Sequence, residues 1–205
     1  MGTYGYARNT TPAIDAFAEQ GTVFEQARSV APWTLPSSRT MVTGAYPERF
    51  DTSQTIQSVL SERGWATAYL AGNLYLSTKF AGDRDWGLQR CENWPMAEVQ
   101  VDRALSFLEQ TEGRASFLML HLMDPHLPYK EPEVYRNRFA GKVPEGWKET
   151  IHRGTVIRKR SVSPEAKSYI KGRYDNNIAY VDDELSRLFK HLRDDDIVFI
   201  FADHG

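Results

Sequence analysis

The chain has 205 residues, of which 41% are hydrophobic and 25% charged, and its formal net charge is −2. This composition is ordinary for a globular protein with a substantial core, and the charge gives no reason to expect nucleic acid or an anionic membrane as a partner. The single cysteine, Cys91, excludes an internal disulfide and a cysteine-rich zinc site. No run of about 18 apolar residues is present, so the sequence contains no candidate membrane span, and no secretory signal opens it.

The first predicted element is a short helix near the start of the chain. Thr11 can cap this helix, Pro12 suits its first position, and Gly21 lies beyond its end. Val23 and Phe24 are typical of the start of a strand-like segment. Taken alone, this stretch indicates surface packing and no chemistry.

The segment from Ala31 to Tyr46 is predicted to be a loop that becomes a helix. Pro36 suits the first helical position, and Gly44 followed by Pro47 ends the helix. Thr34 is therefore expected just before a helix N-terminus, where free N–H groups and a partial positive charge favour an anion such as phosphate or sulfate. A simple helix cap is the alternative interpretation of Thr34.

A helix and an apolar strand follow, which is the unit from which parallel α/β sheets are built. The helix is predicted over 55–63 and the strand over 65–71. Loops at the carboxyl ends of such strands often line a site, so Asn73 and Lys79 are the polar candidates in the next loop. A solvated surface lysine is the alternative for Lys79. Residues 80–93 are expected to form an irregular surface segment.

A second helix–strand unit ends in a turn fixed by prolines. The helix is predicted over 97–108 and a buried strand over 116–122. His126 follows this strand with an aspartate nearby, a placement that suits a general acid or an anion-binding group. His121 and Asp124 are weaker candidates, and His121 can equally be a core histidine with satisfied hydrogen bonds.

The next part of the chain divides into a stretch rich in turn residues and a long helix. Residues 130–163 are predicted to be an insertion, and the basic cluster within 153–160 is either a solvated face or a cover that selects an anionic substrate. Apolar residues at helical spacing predict one long helix over 164–192, packed on the sheet. The acidic run 182–184 is expected on its exposed side.

A further buried strand is predicted over 197–202, and Asp203 and His204 follow it directly. A carboxylate and an imidazole that emerge together from a strand end can bind a divalent cation, since both are good ligands for Zn²⁺ and similar metals. This pair is the candidate metal site of the sequence.

The segment Thr34–Gly44, Thr-Leu-Pro-Ser-Ser-Arg-Thr-Met-Val-Thr-Gly, resembles the signature of the sulfatase family, within the alkaline-phosphatase-like superfamily. The resemblance extends to Tyr4-Gly-Tyr, to the Asp-Pro-His-x-Pro-Tyr turn ending at Tyr129, to the helix at 174–182 and to the terminal Asp-His-Gly, so it covers nearly the whole chain. Thr34 falls on the nucleophile position, where the family has cysteine or serine. Because threonine stands there, the formylglycine of true sulfatases should not form.

The resemblance implies an α/β fold with a largely parallel central sheet flanked by helices on both faces, as in alkaline-phosphatase-like proteins. It implies one catalytic domain over 1–205, truncated at both ends and containing the insertion at 130–163, because the family has an earlier strand that ends in a metal-binding aspartate pair. Asp203 and His204 would then hold part of a divalent metal site. Calcium is the first expectation for the ion, with zinc, manganese or magnesium as alternatives.

The resemblance also implies roles for residues of the site. Thr34 would be the nucleophile, and His126 matches the histidine that contacts the transferred group. Ser38 stands where the family has arginine, with Arg39 one step later, and these two residues and Lys79 are the expected substrate-binding groups.

The function expected from the resemblance is metal-dependent hydrolysis of a sulfate ester, carried by a small molecule or a glycan. A metal-dependent phosphodiesterase or phosphotransferase with Thr34 as nucleophile is the first alternative, since threonine beside a metal is the arrangement of the phosphoryl-transfer members of the superfamily. A non-catalytic protein that keeps the fold and binds a partner is the second.

Overall fold

The computed structural model describes residues 1–52, 54–77, 85–152, 154, 156 and 161–205. Lys79 and the basic residues Arg153, Arg158, Lys159 and Arg160 lie outside the described residues. The chain forms two compact units. The first contains Met1–Val23, Met96–Glu98 and Leu122–Lys190, and the second contains Phe24–Pro95, Val99–His121 and His191–Gly205.

The helices of the described residues are α1 (Pro12–Ala18), α2 (Thr34–Thr43), α3 (Ile56–Glu62), α4 (Ala97–Gln110) and α5 (Pro164–Phe189). Short 3-10 turns lie at Gly2–Tyr4, Pro47–Thr52, Leu74–Leu76 and Glu133–Tyr135. None of the helices in the described ranges combines the length and the apolar character needed to cross a membrane.

The second unit is organised around a parallel three-stranded sheet. Its strands are β1 (Ala66–Ala71), β2 (Leu88–Cys91) and β3 (Ser116–His121), in the spatial order β2-β1-β3. Ala71 pairs with Cys91 on one side and with His121 on the other, so the carboxyl ends of the three strands meet at one edge. The central strand β1 is the most deeply buried because it has a neighbour on each side. The predicted α/β class and parallel sheet are confirmed.

The first unit is built on the long helix α5, against which α1 packs. The rings of Phe17 and Phe189 stack with centroids 4.5 Å apart. Asp182 is fully buried, and its carboxylate accepts the N–H groups of Ala13 at 2.9 Å and Ile14 at 2.8 Å. Burial raises the pKa of Asp182, against the two N–H donors that lower it. The expectation that the run 182–184 is exposed is therefore wrong for Asp182, which satisfies donors at the start of α1.

The described part of 130–163 also packs on α5. The buried Arg173 guanidinium donates to both carboxylate oxygens of Glu131, and Asn177 donates to the same carboxylate at 2.8 Å. Beside this pair, Tyr129, Ala140, Ile151 and Tyr169 form a hydrophobic cluster. Each charged group of the buried pair thus has several partners, which is what burial of an ion pair requires. That this stretch is an insertion stays a prediction.

Strand β2 lies inside 80–93, which is expected to be irregular from the sequence. Leu88–Cys91 has no alternating apolar pattern, and its strand conformation comes from backbone pairing with β1. Pairing depends on the neighbour and not on the segment's own composition, so a local pattern does not reveal it.

The predicted strand at 197–202 is not observed as a regular strand. Ile197 is 84% exposed and Phe199 is 76% exposed, although both are apolar. No strand of the described residues forms a ladder with this segment, and an extended segment needs such neighbours to bury its faces. Val23 and Phe24 likewise form no strand.

Candidate active site

Thr34 is the first residue of α2, so the helix begins two residues before Pro36, where the sequence predicts its start. Pro36 lies within the first turn, where its missing N–H costs nothing. Trp33 has extended backbone at the N-cap position, and its side chain makes no capping hydrogen bond. The buried Thr34 hydroxyl therefore lies at the N-terminus of a helix of 10 residues, an end that favours anions.

The Thr34 side chain contacts His204. Thr34 Oγ1 and His204 Nε2 are 3.3 Å apart. The other ring nitrogen, Nδ1, lies 3.0 Å from the carbonyl oxygen of Gly205, which can only accept a hydrogen bond. We therefore assign the proton of the neutral ring to Nδ1, which leaves the lone pair on Nε2. That nitrogen can accept the Thr34 proton or bind a metal ion.

Asp203 places a carboxylate oxygen next to the same imidazole nitrogen. Asp203 Oδ1 accepts the His204 N–H at 3.1 Å, whereas Oδ2 lies 3.6 Å from His204 Nε2 and 4.0 Å from Nε2 of His121. Oδ2 is buried and accepts no hydrogen bond from the described residues. A buried carboxylate oxygen without a donor is unfavourable, and a bound cation is one way to satisfy it.

The donor atoms of this pair fit a small divalent cation bound by nitrogen and oxygen. Two tetrahedral zinc ligands, each at ~2.0–2.1 Å from the ion, lie about 3.4 Å apart. The separation of Asp203 Oδ2 and His204 Nε2 is 3.6 Å. Calcium prefers ligands that are all oxygen atoms, so a site with an imidazole ligand is unfavourable for calcium. The described ranges contain no group of three or more acidic, histidine or cysteine residues suited to hold a metal, and metal binding by Asp203 and His204 stays a prediction.

Two serines connect the elements of this site, and the sequence singles out neither as a site residue. Ser29 Oγ lies 2.6 Å from the carbonyl oxygen of Asp203 and 2.9 Å from Ser37 Oγ. Ser37 is buried in the first turn of α2, and its hydroxyl is within donating distance of the Ala31 carbonyl at 3.1 Å. Ser37 is part of the family motif, whereas no sequence pattern marks Ser29, which lies in a loop.

The candidates Ser38 and Arg39 lie further along α2. Ser38 is buried, and its hydroxyl has no hydrogen-bond partner in the described part of the chain. The guanidinium carbon of Arg39 lies 5.2 Å from the centroid of the Phe50 ring, within the range of a cation–π contact. Their contact with substrate stays a prediction.

His126 belongs to the first unit, whereas Thr34, Asp203 and His204 belong to the second. The convergence of His126 with these residues therefore stays a prediction. Within its own unit His126 is exposed, and its Nδ1 lies 2.6 Å from the Leu127 carbonyl oxygen. This contact assigns the proton of the neutral ring to Nδ1.

Asp124, two residues earlier, has a structural partner. Its Oδ1 accepts the N–H of Ala97, the first residue of α4, at 3.1 Å. Burial raises the pKa of Asp124 to about 6, although the Ala97 N–H lowers it. The carboxyl group thus satisfies a free N–H at the start of a helix, and this contact explains its place in the turn.

Comparison with known proteins gives the family and the fold. The family model described as Sulfatase matches residues 1–205. YhbX and the phosphoethanolamine transferase EptC, both of Escherichia coli (strain K12), are each 24% identical over the whole chain, which covers 35% and 37% of their lengths. The chain thus spans little more than a third of these relatives.

Two solved structures show the same fold. The C-terminal periplasmic domain of Escherichia coli EptC in complex with zinc has a TM-score of 0.68 at 20% identity, covering 93% of this chain and 54% of that one. BT4656 in complex with its substrate D-glucosamine-2-N,6-O-disulfate has a TM-score of 0.61 at 16% identity, covering 93% and 58%. Because the Sulfatase family model matches the whole chain, the chain belongs to the sulfatase family.

Proposed function

We propose that this domain transfers a substituted phosphoryl group, such as phosphoethanolamine, in a metal-dependent reaction with Thr34 as the nucleophile. The observation that carries the proposal is the contact of 3.3 Å between Thr34 Oγ1 and His204 Nε2, beside a buried Asp203 oxygen without a donor. One bound anion would then meet the Thr34 hydroxyl as nucleophile, His204 as base or metal ligand, and the N-terminus of α2. Hydrolysis of a sulfate ester, expected first from the family resemblance, becomes the second candidate.

Threonine at position 34 favours phosphoryl transfer over sulfate hydrolysis. Its side chain offers an alcohol, which forms a stable ester with the transferred group until a second nucleophile attacks that ester. EptC, 37% of whose length matches this chain, is named as a phosphoethanolamine transferase. The substrate class is inferred from these two facts together.

Zinc is the metal that we propose for the site, in place of the calcium first expected. Asp203 and His204 would hold it through Oδ2 and Nε2, which suits the preference of zinc for mixed nitrogen and oxygen ligands. The solved EptC domain, which is similar in fold, is a zinc complex. When bound, the ion would lower the pKa of the Thr34 hydroxyl and polarise the phosphoryl oxygens.

The proposed reaction has two displacement steps at phosphorus. In the first, Thr34 Oγ1 forms a bond to phosphorus, the bond between phosphorus and the leaving oxygen breaks, and the Thr34 proton passes to solvent water, because His204 Nε2 would be a metal ligand. The leaving oxygen takes up a proton, and His126 is the proposed donor. In the second step an acceptor hydroxyl attacks the phosphorus and loses its proton, the bond between phosphorus and Thr34 Oγ1 breaks, and a proton returns to Thr34 Oγ1, so the two proton transfers balance.

The test compares two ester substrates and three variants of the zinc-loaded protein. Release of nitrophenol is measured from p-nitrophenyl phosphoethanolamine and from p-nitrophenyl sulfate. Thr34→Val keeps the shape of the side chain and removes the nucleophile, so activity should fall about 10³-fold or more. Thr34→Ser keeps a hydroxyl and should retain measurable activity.

The matched control is Thr40→Val, the same substitution in the same helix. Thr40 Oγ1 is buried and has no hydrogen-bond partner in the described part of the chain, so its removal should leave the rate unchanged. Mass spectrometry of the stalled reaction should locate the covalent adduct on Thr34. Faster cleavage of the sulfate would favour the sulfatase candidate, and zinc binding with no cleavage of either ester would favour a non-catalytic protein.

A further inference from the structure

Ser29 joins the segment that leads to Thr34 with the segment that carries Asp203 and His204. Its hydroxyl oxygen lies 2.6 Å from the Asp203 carbonyl oxygen, 2.8 Å from the Ala31 carbonyl oxygen and 2.9 Å from Ser37 Oγ. All six residues belong to the second unit. The contact with Asp203 therefore bridges residues far apart in the sequence.

The protons of the two serine hydroxyls can be assigned from these distances. Ser29 has one proton and two carbonyl oxygens within reach, and Ser37 Oγ lies 3.1 Å from one of them, that of Ala31. If Ser29 donates to Asp203 and Ser37 donates to Ala31, both carbonyl oxygens are satisfied. This arrangement uses the shortest contact of Ser29 for the Asp203 backbone.

These contacts close a ring around the candidate site. From Thr34 the ring follows the first turn of α2 to Ser37, which donates to the Ala31 carbonyl oxygen, and then runs two residues back along the chain to Ser29, which donates to the Asp203 carbonyl oxygen. It returns from His204 Nε2 to Thr34 Oγ1. In a closed ring, the separation of Thr34 from His204 depends on every contact in the ring. One of these contacts is made by the exposed side chain of Ser29.

We propose that Ser29 is a positioning residue, which holds Asp203 and His204 at the distance from Thr34 that metal binding and transfer require. The inference rests on the proposed function, because it assigns to Ser29 a role at that site. Ser29 contacts a backbone carbonyl and not the proposed ligand atoms, so it acts through Asp203. Outer-shell contacts of this kind are typically worth about 10-fold to 100-fold in metal affinity or activity.

The test uses Ser29→Ala, Ser29→Thr and the matched control Ser61→Ala. Ser61 is also a serine of the second unit whose hydroxyl contacts a hydroxyl and a carbonyl oxygen, those of Thr67 at 3.1 Å and Asp85 at 3.3 Å. Zinc affinity is measured by competition with a chelator. Ser29→Ala should bind zinc about 10-fold more weakly, Ser29→Thr should restore the affinity, and Ser61→Ala should match wild type.

A second measurement uses the metal-free protein and needs no activity. Hydrogen exchange of the peptide that contains 203–205 should be about fivefold faster in Ser29→Ala, since one hydrogen bond that resists local opening is lost. Exchange in α3 should not change. Water can replace the lost hydroxyl as a donor to Asp203, but a water molecule does not connect Asp203 to the segment that leads to Thr34, so the effect should be measurable and moderate.

The outcomes separate this inference from the proposed function. Wild-type zinc affinity and exchange in Ser29→Ala would overturn the inference, as would equal losses in Ser61→Ala. If Ser29→Ala shows the expected losses while wild type cleaves no phosphodiester, the positioning role stands and the proposed transfer function is wrong. If wild type cleaves the diester and Ser29→Ala keeps its kcat and zinc affinity, the transfer function stands and the inference is wrong.

Discussion

Asp124 and Asp203 both follow apolar segments of the chain, yet their carboxylates have different surroundings. Asp124 Oδ1 accepts the first N–H of α4, whereas Asp203 directs Oδ2 towards His204 Nε2 and His121 Nε2. Both residues are aspartates, so a difference in their chemistry comes from the groups that surround each carboxylate. Each carboxylate has one oxygen that accepts a backbone N–H and one buried oxygen, Oδ2, that has no donor among the described residues. The Asp203 oxygen lies within 4.0 Å of two imidazole nitrogens that could serve as further metal ligands, so it is the one suited to a cation.

The burial of Asp124 predicts a pH-dependent stability. Its pKa is raised from 3.8 to about 6, mainly by burial, so the folded state holds the proton more tightly than the unfolded state does. Stability should therefore fall as the pH rises through this window, and the loss is complete above the folded-state pKa. Asp124→Asn keeps an oxygen for the Ala97 N–H and carries no charge, so above pH 7 it should be more stable than wild type by about 1–3 kcal/mol.

Thermal unfolding from pH 4 to 8 measures this effect. Asp194→Asn is the matched control, because it removes the same charge from an exposed aspartate and should follow the wild-type curve. If Asp124→Asn retains the wild-type dependence on pH, the carboxyl group at 124 is not its source.

At the scale of elements, predictions succeed where a segment's own pattern determines its structure. The apolar runs at β1 and β3 predict strands, and the helical spacing over 164–192 predicts the existence of α5. The buried positions of α5 include polar residues such as Asn176 and Asn177, which the apolar spacing does not reveal. Strand β2 depends on pairing with β1, and its composition does not show this. The sequence predicts an exposed Asp182 because acidic residues are usually solvated, whereas its partners in the fold are backbone N–H groups of α1, which is distant in sequence.

The residues of the candidate site also divide into those that a sequence pattern predicts and one that no pattern predicts. Thr34, Asp203 and His204 are predicted because the family motif marks the first and the end of an apolar run marks the other two, and the structure brings these three together. Ser29 is missed because its contact with the Asp203 carbonyl exists only after folding. No local sequence pattern encodes a hydrogen bond to a distant backbone atom.

The close contact between α5 and the described part of 130–163 predicts the effect of a single methyl group. A Cβ on Gly172 would lie 2.6 Å from Ala140 Cα and 2.6 Å from the Phe139 carbonyl oxygen, so the backbone would have to move. Gly172→Ala should lower the free energy of unfolding by about 1–3 kcal/mol. Gly141→Ala, where a Cβ meets no atom within 4 Å, should be close to neutral. Denaturant unfolding measures both, and equal stability of the two variants would contradict this packing.

At the scale of the whole molecule, the residues of the candidate metal pair and their contacts fall within one compact unit. Asp203, His204, Thr34 and Ser29 lie in the same unit as the parallel sheet. A ligand that binds these residues only when the chain is folded must therefore stabilise the fold of that unit.

Zinc should consequently raise the stability of the protein in a concentration-dependent way. At a free zinc concentration 100 times the Kd, the folded state gains about 2.7 kcal/mol relative to the unfolded chain. Asp203→Asn removes the charge and one proposed ligand, so the zinc-dependent rise in the unfolding temperature should disappear. Asp195→Asn, at an exposed aspartate whose oxygen lies 3.4 Å from Arg193, should keep it, because exposed ion pairs contribute little. Equal stabilisation of wild type and Asp203→Asn by zinc would show that the ion binds elsewhere.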